Sequence, residues 1–297
     1  MIAQDFDYLR RYLKERSGLV LSADKQYLAE SRLLPVARKY HLADLGLLTA
    51  QLRAAPNGPL GGDVIAAMMT NESFFFRDKL PFDYFKVRLL PALVAARSRE
   101  KRVRIWCAAA STGQEPYSLA MILHELGPAL AGWRVELLAT DIANDVLEKA
   151  RSGIYSQFEV QRGLPIQQLV RHFNQTGDVW QIASDIRGMV TFKVFNLLND
   201  FAALGVFDIV FCRNVLIYFD QPTKSGVLNR LGRVVAPDGY LVLGAAETVV
   251  GLTENFSPMP DHRGVYVPKA ARVMAPPLAP EQPRPLPIPR VIAGGER

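Results

Sequence analysis

The sequence predicts a doubly wound α/β sheet preceded by an all-helical N-terminal domain. Five short apolar runs rich in β-formers, at 103–108, 135–140, 189–195, 207–212 and 240–245, are separated by stretches that include helical segments. The runs are continuous rather than alternating, the pattern of parallel strands covered on both faces. The first 70 residues instead carry helix-period apolar spacing and no comparable strand run.

Taken in order, Phe6, Leu9 and Leu13 place a first helix, and Gly18 supplies its stop. A second helix is expected from near Ser22 or Asp24. It would carry Tyr27, Leu28, Leu33 and Leu34 inward and Lys25, Arg32, Arg38 and Lys39 outward, with Pro35 kinking or dividing it. A third helical stretch covers 45–52, and the run APNGPLGG at 55–62 reads as a loop before a fourth helix. Within the sheet domain, 155–188 breaks the strand and helix rhythm with a helix and a small β excursion, GDVWQIA. VYVP at 265–268 would add an antiparallel edge strand. The last 30 residues hold eight of the 20 prolines and few large apolar groups, so 269–297 is expected to be a disordered tail.

Composition narrows the class. With 49% hydrophobic and 22% charged residues the chain reads as a soluble globular protein. No apolar run approaches the roughly 20 residues of a membrane helix, and MIAQDFDYLRRYLKERSG is charged where a signal peptide is apolar, so a cytoplasmic location is expected. Cys107 and Cys212, each ending an apolar run, suit buried reduced thiols rather than a disulfide or a metal site. The net charge of +6 lies at the ends: residues 1–55 carry nine Lys and Arg against six acids, and 268–297 carry five against two. Such ends fit either docking to an acidic partner or plain solubility.

An open parallel sheet binds its ligand beyond the strand carboxyl ends, where strand order reverses. The loop after the first strand, Ala108 to Pro116, has small residues, one glycine (Gly113) and a carboxylate (Glu115) at the entrance of the following helix. A dinucleotide site needs a GxGxxG spacing, and a negative charge at the helix entrance repels pyrophosphate, so this loop suits a cationic ligand. Glu115 could equally stabilise the helix N-terminus alone. Asp141 ends the second strand, where nucleoside-binding folds accept a ribose hydroxyl, or where an aspartate simply caps a helix. Asn196 and Leu197 follow the third strand and suit an adenine edge and face, or equally a simple turn. Arg213 and Asn214 follow the fourth, with Tyr218 just beyond.

The segments MTNESFFFRD, IWCAAASTGQEPYSLAMIL, ATDIANDVLEKARSGIYS, FNLL, FDIVFCRNVLIYFD and APDGYLVLGAAE, in this order and spacing, resemble the chemotaxis receptor methyltransferases, the CheR family, over about residues 5–268. The resemblance implies a helical domain at 1–70 and a Rossmann-like class I methyltransferase domain at 71–268, with a small β-subdomain at about 155–188. It implies S-adenosyl-L-methionine as cofactor, S-adenosyl-L-homocysteine as product, and glutamate side chains on the cytoplasmic helices of transmembrane chemoreceptors as acceptors. Asn71, Ser73, Arg77, Gly113, Glu115, Asp141, Asn196, Leu197, Arg213 and Asn214 would meet the cofactor. Arg77 and Tyr218 would act at the reacting methyl, while Lys25, Arg32, Arg38 and Lys39 would dock the acidic receptor.

Three positions depart from the family's common pattern: Ser73 for Thr, Gln114 for Glu, and GAAE for GHSE. FNQTGDVWQIA is also shorter than in members resembling the receptor-tail-binding type, so independence from a receptor C-terminal peptide is expected. A monomer is expected, with no membrane insertion. Methylation of another acidic protein or of nucleic acid is the alternative; against nucleic acid, no Asp/Asn-Pro-Pro-aromatic motif follows the fourth strand and neither cysteine follows a proline. A cofactor sensor without turnover is disfavoured by the complete set Arg77, Glu115, Asp141 and Tyr218, and a nicotinamide oxidoreductase by the missing glycine fingerprint.

Overall fold

Helix-period spacing near the N-terminus produces four helices packed around their own core. A computed structural model describes residues 1–269, so the tail expected at 269–297 lies outside the described residues, Lys269 excepted. Helix α1 (Ala3–Ser17) buries Phe6, Leu9, Tyr12 and Leu13 and ends at Gly18, whose φ of 79° turns the chain while its N–H donates to the Lys14 carbonyl. A 3₁₀ turn, Ala23–Lys25, leads into α2 (Gln26–Lys39). Asp44 caps α3 (Leu45–Ala54) by accepting from the Leu47 N–H, and α4 (Pro59–Met68) starts at a proline.

Three expectations change here. The inward stripe of α2 is Ala29, Leu33, Val36 and Ala37, while Tyr27 and Leu34 are 63% and 42% exposed. The stripe includes two alanines, so side-chain hydrophobicity finds Leu33 but misplaces Tyr27 and Leu34. Pro35 neither divides nor ends α2; it is exposed, and so is Ser31, whose carbonyl would have received the missing N–H and can be hydrated. The 55–62 loop is shorter than expected because Gly61 and Gly62 lie inside α4. A Cβ on Gly61 would stand 2.2 Å from the Tyr12 hydroxyl, which donates to the Pro56 carbonyl, so the glycine lets α4 meet α1.

The sheet domain begins with α5 (Leu80–Tyr84), a π-helical turn (Phe85–Leu89) and α6 (Leu90–Ala96). Then follow β1 (Arg102–Cys107), α7 (Gln114–Glu125), β2 (Arg134–Asp141) and α8 (Asn144–Ser152). An insertion carries β3 (Ile154–Ser156), α9 (Gln157–Gln161), α10 (Ile166–His172), β4 (Phe173–Thr176), β5 (Val179–Ile182) and α11 (Ser184–Gly188). The chain returns through β6 (Val190–Val194), β7 (Phe207–Cys212), α12 (Gln221–Val234), β8 (Val235–Leu243), β9 (Phe256–Pro258) and β10 (Val265–Pro268).

Among the described residues the main sheet has the order β6-β2-β1-β7-β8-β10-β9, parallel from β6 to β8. Strand order reverses between β1 and β7. VYVP is not the edge strand: β10 pairs antiparallel with β8 on one side and β9 on the other. The expected β excursion is a complete three-stranded antiparallel sheet, β3-β5-β4. One apolar cluster, including Ile105, Tyr117, Leu137 and Phe211, joins one face of the main sheet to the small sheet. A second, including Trp106, Phe201, Val210 and Leu241, fills the opposite face. Cys107 and Cys212 are buried free thiols, and burial pushes both well above the usual thiol range. Among the described residues no helix is long and apolar enough to cross a membrane.

Candidate functional site

The carboxyl ends of β1, β2, β6 and β7 converge with α1 and the segment before α5 on one cleft of about 920 Å³, counting its part open to solvent. That position is the strand-order reversal where open α/β sheets bind ligands. Asn71, Ser73, Arg77, Glu115, Asp141, Asn196, Leu197, Arg213, Asn214 and Tyr218 all line it, although they come from five separate parts of the sequence.

Gly113 does not line the cleft. It turns the chain into α7 with φ of 95°, and a Cβ there would stand 2.9 Å from the Ala150 Cβ and 3.1 Å from the Tyr155 hydroxyl. Its service is to let α8 and β3 close against the loop from behind; the ligand-facing side is formed by Ala108, Ala109 and Ser111. Ser111 and Asn214 both adopt left-handed backbone, with φ of 50° and 57°. Non-glycine residues held in that region are characteristic of functional loops.

Glu115 is not a free carboxylate. Its Oε2 accepts from Arg213 Nη1 at 2.7 Å, while Arg213 Nη2 donates to Asp78 and to the Arg77 carbonyl, both at 2.8 Å. Burial raises the Glu115 pKa above its ordinary value, and the guanidinium opposes that rise. Arg213 is therefore a buried clamp between α7 and the segment carrying Arg77. Asp141 accepts from the N–H groups of Ser111 at 2.8 Å and Ala143 at 3.1 Å; burial again raises its pKa against those donors. Each oxygen retains acceptor capacity toward the cleft, since a carboxylate offers about four lone-pair sites.

Asn196 is tied down more tightly than an adenine-reading amide would be. Its Nδ2 donates to the Arg16 carbonyl at 2.6 Å and its Oδ1 accepts from Leu198 N–H at 2.9 Å, so it fastens α1 to the sheet edge. Leu197, by contrast, turns a buried apolar surface to the cleft beside Phe195 and Phe219. Arg77 lines the cleft, and its Nη1 donates to the Glu72 carbonyl at 2.6 Å. Tyr218 packs against both the sheet core and the helical-domain core, and its carbonyl accepts from the Val20 N–H at 2.9 Å.

The four outward cations of α2 do not form one free set. Arg32 turns back, donating to the Met68 carbonyl at 2.8 Å, to the Met69 carbonyl at 3.1 Å and to the Thr70 hydroxyl at 3.2 Å, which fixes the chain leading into the cleft wall. Lys39 pairs with Asp63 at 2.7 Å, and Lys25 lies 3.7 Å from its neighbour Asp24. Arg38 is exposed.

Two contributions are absent from the sequence-based list. Ser17 and Leu19 of the helical domain form part of the wall. Glu247, in GAAE, is buried and gathers four backbone donors: Asn214 at 2.8 Å, Val215 at 3.0 Å, Leu216 at 2.7 Å and Gly244 at 2.7 Å. This carboxylate shapes the loop that carries Asn214 and Tyr218. The available signal was an acid following small residues just past a strand end.

The donor set fits a ligand with a cationic centre, hydroxyls and an apolar ring: Asp141 and Glu115 supply negative charge, while Leu19, Phe195, Leu197 and Phe219 supply an apolar wall. Residues 71–265 match the family described as "CheR methyltransferase, SAM binding domain", and residues 4–58 match "CheR methyltransferase, all-alpha domain". The chain is 39% identical over 258 residues to the chemotaxis protein methyltransferase Cher2 of Pseudomonas putida, covering 85% of this chain and 93% of that protein. Chemotaxis protein methyltransferase 1 of Pseudomonas aeruginosa is 41% identical with the same coverage. The Escherichia coli chemotaxis protein methyltransferase is 37% identical over 85% of this chain and 87% of that protein.

Proposed function

Because the chain belongs to the CheR methyltransferase family, we infer that this S-adenosylmethionine-dependent protein methyltransferase esterifies glutamate side chains on the cytoplasmic helices of chemoreceptors. The observation that carries the reading is the joining in one cleft of buried carboxylates, Asp141 and Glu115, with Arg77 and Tyr218.

Bound S-adenosylmethionine supplies a methyl group activated by its sulfonium. Asp141 would hold ribose hydroxyls, Glu115 and Arg213 would frame the cationic and carboxylate end, and Leu197 with Phe195 would cover the base. An acceptor glutamate, with a reference pKa of about 4.3, is already ionised near neutrality, so no side chain has to remove a proton. Placement is then the main task, and alignment of reactants can supply several kcal/mol of a barrier. Arg77 orients the acceptor carboxylate or the cofactor through its free N–H groups, and the Tyr218 hydroxyl donates to either partner.

The exposed face of α2 supports helix docking: Tyr27, Ser31, Leu34 and Arg38 are exposed at helical spacing, with Lys25 beside them. Lys25 and Arg38 act as the docking cations, with Lys39 less directly and Arg32 through the chain it braces. The strands β4 and β5 meet in a two-residue turn, Gly177 and Asp178, which supports action without a receptor C-terminal peptide.

The test is transfer from methyl-labelled cofactor to receptor cytoplasmic fragments with and without their C-terminal residues, followed by alkali. Volatile methanol from both fragment types is expected. Alkali-stable label would exclude a carboxyl ester, and label only on full-length fragments would exclude peptide independence.

A further inference from the structure

The stretch 71–77 forms one side of the cleft, through Asn71, Ser73 and Arg77. The sheet domain holds its ends: Ser111 Oγ donates to the Asn71 carbonyl at 3.1 Å, the Phe76 N–H donates to Ser118 Oγ at 3.0 Å, and Arg213 holds the Arg77 carbonyl. Among the described residues no hydrogen bond from the sheet domain's main body reaches Glu72, Ser73 or Phe74.

That middle meets the insertion instead. Arg162 Nη2 lies 2.5 Å from Glu72 Oε1, and its guanidinium lies 4.5 Å from the Phe74 ring centroid. The Arg77 guanidinium lies 5.5 Å from the same ring and donates to the Glu72 carbonyl. Two arginines thus share one carboxylate-bearing residue and one aromatic ring. The adjoining turn is shaped for this approach: a Cβ on Gly163, at φ of 85°, would stand 2.2 Å from the Phe75 carbonyl oxygen and 2.9 Å from Phe74 Cδ2. Arg162, with Arg77 behind it, holds the Glu72 carboxyl below its usual pKa.

We propose that Arg162 is a positioning residue: from the small β-subdomain it occupies Glu72 and Phe74 so that the Arg77 fork keeps its place in the cleft wall. Without Arg162, the Glu72 carboxylate is left with Arg77 as its nearest competing cation and draws that fork off line. The ion pair is half-exposed, so alone it is a weak contact; stacking on Phe74 and the close Gly163 turn give it direction. This rests on the reading of the cleft as the cofactor site.

Titration calorimetry of the full chain with S-adenosylhomocysteine, which needs no acceptor, reads the effect directly. Arg162→Ala is expected to weaken affinity about three- to tenfold with an unchanged thermal midpoint, and Arg162→Lys to recover part of the loss. Adding Glu72→Gln to Arg162→Ala should restore affinity rather than lower it further, because the competing carboxylate is gone. Wild-type affinity in Arg162→Ala overturns the proposal, as does a loss that tracks the thermal midpoint and is rescued by neither second variant. A wild-type chain that does not take up S-adenosylhomocysteine overturns the cofactor-site reading as well.

Discussion

At the scale of single residues, the buried carboxylates decide how the cleft responds to pH. Burial raises the pKa of Asp141 and Glu115 above their ordinary values, the reverse of what an exposed ion pair does. In the free protein that shift favours the folded chain at low pH, and the contribution is lost as pH rises through the raised values. A cationic ligand reverses the preference by favouring the ionised groups. Affinity for S-adenosylmethionine should therefore fall as pH drops toward those values, starting above the ordinary carboxylate range. S-adenosylhomocysteine, which lacks the sulfonium charge, should show a shallower fall. Calorimetry of both ligands over mildly acidic to neutral pH measures this, and parallel curves would contradict it.

At the scale of elements, the loops after the strands are held by single side chains rather than by ladders. Glu247 organises the turn after β7 by accepting from the backbone of Asn214, Val215 and Leu216 as well as Gly244. A Glu247→Gln amide would point two donors at a ring of N–H groups, leaving buried donors without acceptors. The expected loss is about 2–4 kcal/mol of stability, together with a fall in turnover because Tyr218 is on that turn. Thermal unfolding and initial rates test it; an unchanged midpoint would remove Glu247 from this role. The three-stranded insertion is tied to the loop after β1, since the Tyr155 hydroxyl donates to the Thr112 carbonyl at 2.8 Å.

At the scale of the whole molecule, the helical domain completes the cleft as well as presenting α2. Gly18 lies so close to the Phe219 ring that a Cβ would stand 2.8 Å from Cε1, and Lys14 pairs with Asp220 at 2.7 Å, where the chain enters α12. The proposed docking cations Lys25 and Arg38 lie on the outer face and are open to screening, whereas Asp141 and Glu115 in the cleft are buried. Raising salt across the range where the screening length falls to roughly 8 Å should raise KM for a receptor fragment several-fold and leave KM for the cofactor nearly constant. Equal salt sensitivity of the two constants would argue against the α2 surface.

The sequence by itself determined the parallel sheet, the helical first domain and most of the cleft wall, because continuous apolar runs and strand-end polar residues are local signals. It placed Leu33 of α2 inward but misplaced Tyr27 and Leu34, since a stripe that includes Ala29 and Ala37 is decided by how closely a neighbour packs. It also placed Gly113 at the ligand when the glycine faces Ala150, and it held no signal of the distant partners of Glu115 and Asn196. Pairings such as Arg213 with Glu115, Asn196 with Arg16, and Glu247 with the turn after β7 join residues far apart in sequence. Only the tertiary structure decides them, because distance and burial, rather than residue type, determine which polar groups are already satisfied and which face the ligand.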